Sequence, residues 1–263
     1  MKKLSLVLVA LLAFSFVGCQ EWLNIPDPEP EPEPEPEPVE EAMIMLEETS
    51  ATLHYGETYQ INAECENPIT YSSENEYHAT VSEEGLVTAS FVGATTIILA
   101  SEFDTKTFEV TVEPVSNLYP EPEIEFGESR ESIIERFGEP DAEVEGAIAY
   151  GSYSENSTML MVMFDEDDLV QYYAVIFDVE YSDELDTFLS ERYLFAQEED
   201  GIKVYINALD VNEATMFVGS QMEDGILMAM YMANTGDDGD DDGDEDGEEA
   251  TGRVKTLLKS LKK

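Results

Sequence analysis

The first nineteen residues constrain this chain more than any other stretch. Lys2 and Lys3 precede a run, Leu4 to Val17, that is apolar except at Ser5 and Ser15 and closes on Gly18 and Cys19. A helix that spans a bilayer wants roughly 20 apolar residues, whereas the apolar part of a secretion signal needs roughly 7 to 15. The run therefore reads as a signal and not as an anchor. The remainder of the chain is expected to fold outside the cytoplasm, where a disulfide framework is permitted. Only two cysteines exist, Cys19 and Cys65, so the fold must rest on packing instead.

The order Val17, Gly18, Cys19 resembles the bacterial lipoprotein signal, with Phe16 where that pattern usually has Leu. The resemblance implies lipid attachment at Cys19, which becomes the new N-terminus, and an ordinary cleaved signal with a chance cysteine is the alternative. Several acyl chains on one residue, at about 0.8 kcal/mol per buried CH₂, anchor a protein without a transmembrane helix. Gln20 rather than Asp succeeds the cysteine, and by the same resemblance this implies the outer membrane. With Cys19 lipidated, the sequence holds no second thiol to form a disulfide with Cys65. Cys65 falls on the apolar side of the alternation Tyr59, Ile61, Ala63, Cys65 and reads as an inert core thiol, not as a nucleophile.

Net charge is −48, from 60 acidic residues against twelve Lys and Arg. Lys2 and Lys3 lie in the signal, and Arg253, Lys255, Lys259, Lys262 and Lys263 near the other end. Lys106, Arg130, Arg136, Arg192 and Lys203 alone remain for the body. Such a body repels phosphate backbones, which argues against nucleic-acid binding. With this many carboxylates, pairs at glycosidase-like spacing arise by chance and carry no argument for acid/base catalysis.

After the signal, residues 19–41 read as a tether dominated by the Pro-Glu alternation from Pro28 to Pro38. Proline favours the extended polyproline conformation at about 3.1 Å per residue, and the glutamates repel one another. Pro26 to Pro38 is expected to hold the first folded domain on the order of 40 Å from the membrane. Trp22, beside the lipidated residue, is expected at the lipid interface.

From about Ala42 to Pro114 short alternating segments separated by turn residues predict an all-β sandwich. Leu53-His54-Tyr55-Gly56-Glu57-Thr58-Tyr59-Gln60-Ile61, Ile69-Thr70-Tyr71-Ser72-Ser73-Glu74-Asn75 and Ala79-Thr80-Val81-Ser82-Glu83-Glu84-Gly85-Leu86-Val87-Thr88-Ala89 resemble the group 2 bacterial immunoglobulin-like domain, as do Gly93 to Ile97 and Phe108 to Val112. Tyr71 stands where that family usually has Trp. The resemblance implies presentation, as a spacer or binding unit of surface proteins, and not catalysis. Val81, Val87, Ile97, Val110 and Val112 are expected to fill the space between the sheets.

Residues 115–125, with Pro120 and Pro122, read as a second stiff linker. An α+β head, residues 126–235, is expected beyond it: an antiparallel sheet with helices on one face, built as a helix plus three strands, twice over. Ser129 is the expected N-cap of the first helix, with Ile133, Ile134 and Phe137 as its buried stripe and Gly138 and Pro140 ending it. A second helix is predicted over about Ser182 to Tyr193. Gly127, Ser129, Gly138, Pro140 and Phe164-Asp165 resemble a pattern shared by outer-membrane assembly lipoproteins and β-lactamase-inhibitor-like proteins.

Two helices cover one side of such a sheet only, and strands Met159 to Phe164 and Ile226 to Met232 are apolar at nearly every position. The ladders Met159, Met161, Met163 and Met228, Met230, Met232 each lie on one side of a strand. Thioethers of this kind suit copper(I), but thioethers under helices are ordinary adaptable core, and the ladders are assigned to the helix side as core. Tyr150, Tyr173, Tyr205 and Tyr231 are then expected to share one exposed face as a protein-binding surface, the alternative being that a second layer or dimer partner covers them.

Asp238, Asp240, Asp242, Gly243 and Glu249 match a calcium-loop spacing. In so acidic a stretch, residues 236–250 read as a disordered linker that binds divalent cations weakly. In residues 251–263, Val254, Leu257, Leu258 and Leu261 recur at helical spacing with Lys255, Lys259 and Lys262 between them, a basic amphipathic helix. It reads either as a terminal helix pairing loosely with the acidic body or as a contact to anionic lipid or an acidic partner.

No metal-ligand set of His and Cys, phosphate-cradling glycine loop or serine elbow occurs. The expectation is a membrane-anchored, non-enzymatic binding or adhesion lipoprotein without a cofactor, taking a protein or glycan ligand. An accessory subunit of an envelope assembly or uptake complex, and a carboxylate-based hydrolase, are the competing readings.

Overall fold

The computed structural model describes residues 43–144, 146–199, 201–223 and 225–234. Cys19, the tether 19–41, the acidic stretch 236–250 and the basic segment 251–263 lie outside them.

The first module is a sandwich of short strands: β1 (Met45–Leu46), β2 (Ser50–His54), β3 (Thr58–Gln60), β4 (Ala63–Glu64), β5 (Thr70–Ser73), β6 (Ala79–Val81), β7 (Leu86–Ala89), β8 (Gly93–Ala100) and β9 (Thr105–Glu113). One sheet runs β2-β9-β8-β5, with β2 parallel to β9, and the other runs β3-β7-β6; β1 and β4 form a separate pair. Along β9 burial alternates without a break, so Phe108, Val110 and Val112 point inward while Glu109 and Thr111 face water. They meet Val87, Ile97 and Leu99, all fully buried, with Val81 and Cys65 packed at the margin.

Two glycines of this module show why a Cβ is excluded. Gly93 has φ +142°, and a Cβ there would stand 2.3 Å from the His78 ring, whose Nδ1 lies 3.2 Å from the Phe91 carbonyl. Gly85 turns at φ +79° against the face of Tyr71, 2.9 Å from a built Cβ. The aromatic at position 71 thus requires a glycine opposite it.

The second module is one eight-stranded antiparallel sheet with few helices. Its elements are α1 (Arg130–Phe137), β10 (Ala142–Val144), β11 (Ala147–Gly151), β12 (Ser157–Phe164), β13 (Val170–Phe177), α2 (Ser182–Ser190), β14 (Leu194–Glu199), β15 (Ile202–Ile206), β16 (Met216–Glu223) and β17 (Ile226–Ala233). The order β10-β11-β12-β13-β17-β16-β15-β14 places two helix-plus-four-strand halves back to back. The expectation of three strands per half omits β10 and β14, which are the two edges of the sheet. An edge free of a continuous apolar face resists aggregation, and the exposed β10 and the Gln197-Glu198-Glu199 end of β14 accordingly lack the usual strand signal.

Residues 115–125 are not a linker. Leu118, Tyr119 and Ile124 belong to the core of the head, and Tyr119 stacks on Phe188 at 4.2 Å. The prolines give this strap its stiffness, but apolar side chains between them make it a layer of the fold.

At the start of α1, Ser129 caps Ser132 N–H as expected, and Glu128 does more. Its carboxylate accepts from both terminal nitrogens of Arg136 at 3.1 and 2.6 Å, from Ser132 Oγ at 2.9 Å and from the Glu125 N–H at 2.6 Å. The Arg136 guanidinium, chiefly, holds the Glu128 carboxyl below its ordinary 4.5.

Substitutions at Gly93 and Glu128 test these contacts. Gly93→Ala should lower the stability of the first module by about 1–3 kcal/mol through forced displacement of His78. Gly56→Ala, where no atom lies within 4 Å, should cost less, about 1–2 kcal/mol from backbone strain alone; urea unfolding ranks the two. Glu128→Gln should cost about 1 kcal/mol at pH 7, a modest figure because solvent screens Arg136. A depressed folded pKa contributes stability above about 4.5 that is lost as pH falls through the folded value, so the melting difference between the two proteins should shrink as pH falls below 4.5.

Candidate functional site

The faces of the head sheet are settled by which side the helices take. Ile133 of α1 and Leu185, Phe188 and Leu189 of α2 pack with Ile148, Leu160, Val162, Val175, Val218 and Ala229. Tyr150, Tyr173, Tyr205 and Tyr231 belong to this same cluster. They share one face, but it lies beneath the helices, and their exposures are 8, 5, 3 and 1%. The expectation of an exposed tyrosine surface is therefore overturned.

What the tyrosines form instead is a layered aromatic core. Tyr173 stacks on Tyr231 at 4.8 Å with planes 14° apart, and Phe126 stacks on Tyr173. Tyr231 and Tyr119 share a hydrogen bond between hydroxyls, and the Tyr150 hydroxyl donates to the Gly138 carbonyl at 3.1 Å. Burial raises the pKa of each of the four, so none offers a phenolate.

The methionine ladders lie on the opposite, helix-free face, contrary to their assignment as helix-covered core. Pairing across β12, β13 and β17 aligns Met159 with Ile176 and Met228, Met161 with Ala174 and Met230, and Met163 with Tyr172 and Met232. Residues directly opposite in an antiparallel ladder share a face, so six of the chain's eleven methionines surround Ala174. Met230 and Met232 are buried, and Met159, Met161, Met163 and Met228 are half-buried. Toward β15 and β16 the face is closed by Ile202, Val204, Ile206 and Phe217, with Val211 and Ala214 against them. Toward β12 it is open. Alternation along each strand identified the two ladders, but their side depended on where the helices pack.

A second feature invisible in sequence is the junction between the modules. Val92 N–H donates to the Glu191 carbonyl at 2.8 Å, and the Tyr77 hydroxyl donates to the carbonyls of Arg192 at 2.7 Å and Ile206 at 3.3 Å. The Glu191 carboxylate, 4% exposed, accepts from the backbone N–H groups of Val115 and Ser116 and pairs with Arg192 at 2.6 Å. Arg192 lies 3.6 Å over Phe188 and donates to the carbonyls of Ser116 and Phe188. These contacts fix the first module on the head.

Among the described residues no group of three or more His, Cys, Asp or Glu is placed to hold a metal ion. Each of the five cations there is paired: Lys106 with Asp104, Arg130 with Glu143 and Asp168, Arg136 with Glu128, Arg192 with Glu121 and Glu191, and Lys203 with Asp186.

Because the tyrosines are core, Tyr231→Ala should destabilise the head by about 3–5 kcal/mol. Tyr231→Phe, which leaves the Tyr119 hydroxyl without its partner, should cost about 1–3 kcal/mol. Denaturant unfolding monitored by tyrosine fluorescence checks both.

Three comparisons with known proteins stand beside this geometry. The comparison with curated proteins found no match. Among solved structures, the chain is similar to domains 5–6 of the S-layer protein SbsC, at 13% identity over 73% of this chain and 83% of that one, with a TM-score of 0.24. It is also similar to human protocadherin-24 EC1-2, at 13% identity over 72% of this chain and 95% of that one, with a TM-score of 0.22. At such scores neither likeness carries an argument about fold or role. The family comparison does bear on the first module: residues 42–112 match the model of the Bacterial Ig-like domain (group 2).

Proposed function

We propose that this chain is an extracytoplasmic, lipid-anchored binding or adhesion protein that presents its α+β head on the Ig-like module. The observation that carries the reading is that module, matched over residues 42–112 and joined to the head by the Tyr77, Val92, Glu191 and Arg192 contacts. A domain used for presentation in its family, and fixed by buried hydrogen bonds instead of a loose linker, suits a device that holds a head in one orientation. The secretion signal ending at Cys19 supplies the address and the anchor, in the outer membrane. The ligand is a protein or a glycan, since a body whose cations are all internally paired has little to offer a polyanion.

Labelling cells with a fatty-acid probe should tag the chain, and Cys19→Ser should abolish both label and membrane retention. Retention of both in the variant rejects the anchor. Protease added to intact cells should remove the head if it is displayed outward. Protection in intact cells and loss only after the outer membrane is opened would favour a periplasmic subunit of an envelope complex.

A further inference from the structure

The helix-free face of the head holds an arrangement that its role as a presented domain does not use. Ala174 contributes only a methyl group, yet it is 2% exposed, although no α-helix lies on its side of the sheet. Six methionines flank it in the register of the neighbouring strands, and Met163, Met228, Met230 and Met232 pack in the cluster that holds it. Met161 and Met230 stand directly across from Ala174 on the two neighbouring strands, each about 4.8 Å away at the backbone. Met159, Met163, Met228 and Met232 occupy the diagonals, about 7–8 Å away and within reach of a long side chain.

A methionine side chain is unbranched with three rotatable bonds and a polarizable sulfur, so thioethers on both sides can lean over the alanine. Soft thioether ligands select copper(I) over harder divalent ions. The grid of facing residues on β12, β13 and β17 contains no carboxylate, imidazole or thiol to favour calcium or zinc. Four of the six methionines are half-buried, which gives an entering ion access from the β12 side. A second observation points the same way: the body is strongly acidic, and each described cation is already neutralised by a carboxylate, so its field draws small cations to the surface.

We propose that the methionine grid centred on Ala174 is a binding site for one copper(I) ion. Met161 and Met230 supply the directly flanking sulfurs, and a third comes from Met159, Met163 or Met228. Thioethers carry no proton at any ordinary pH, so binding releases none and its affinity is flat from about pH 5 to 8, unlike that of a cysteine site. The proposal is independent of the anchor and of any ligand.

The test is an anaerobic titration of the full chain with copper(I) against a chromophoric copper(I) chelator. One equivalent should be withheld from the chelator, equally by the parent and by a Cys19→Ser, Cys65→Ser variant. Met161→Leu and Met163→Leu conserve volume and leave melting nearly unchanged. Met161→Leu should weaken binding about tenfold or more, the scale on which even a supporting group of a metal site acts. Met43→Leu and Met45→Leu, in the first module, should change nothing. No copper withheld overturns the proposal. So does binding lost with the cysteines, or undiminished binding in a Met161→Leu, Met163→Leu double variant that melts like the parent.

Discussion

The pairing of β13 with β17 is the interaction on which the head depends. Each half, a helix and four strands, would alone present one long apolar edge: β13 in the first, β17 in the second. Such an edge is a template for aggregation. Pairing these two edges in six antiparallel steps, from Tyr172↔Met232 to Phe177↔Leu227, leaves only β10 and β14 at the outside. It also brings Tyr173 onto Tyr231 beneath the helices and Ala174 between Met161 and Met230 on the other side. One register thus sets the composition of both faces, because a slip by a single residue would exchange them.

Charge is distributed under a similar constraint. A chain with a net charge of −48 has few cations available for structure, and those in the described residues are placed where a carboxylate already has a task. Arg136 completes the acceptor set of Glu128 at the start of α1. Arg192 neutralises Glu191, whose buried carboxylate caps the backbone between the modules. A buried ion pair stabilises only when its remaining valences are hydrogen-bonded. At Glu191 and Arg192 they are, by Val115, Ser116 and Phe188. The pair thus has its hydrogen bonds filled at the point where Tyr77 and Val92 of the first module meet the head.

Much of the fold was legible in the chain because local rules dominate there. The alternation of Phe108, Val110 and Val112 with polar residues, the Ser129 cap, and the glycines at 85 and 93 arise from strand period, capping and sterics, each readable within a few residues. The edge strands β10 and β14 were not legible, since β10 is exposed throughout and β14 is fully buried at no position, so neither has an apolar period of two. The strap 115–125 was misread because its prolines look like a linker until Leu118 and Tyr119 are seen packed on Phe188.

By itself, the sequence determined the Ig-like module, the acidic body and the existence of a tyrosine set and a methionine set on opposite sides of one sheet. Period-two alternation dictates that separation wherever the strands form. Only the tertiary structure decided which set is covered, because the side taken by α1 and α2 depends on contacts among Ile133, Leu185, Phe188 and a sheet assembled from distant segments. That decision buries the tyrosines as core and leaves four of the six methionines around Ala174, Met159, Met161, Met163 and Met228, half-buried.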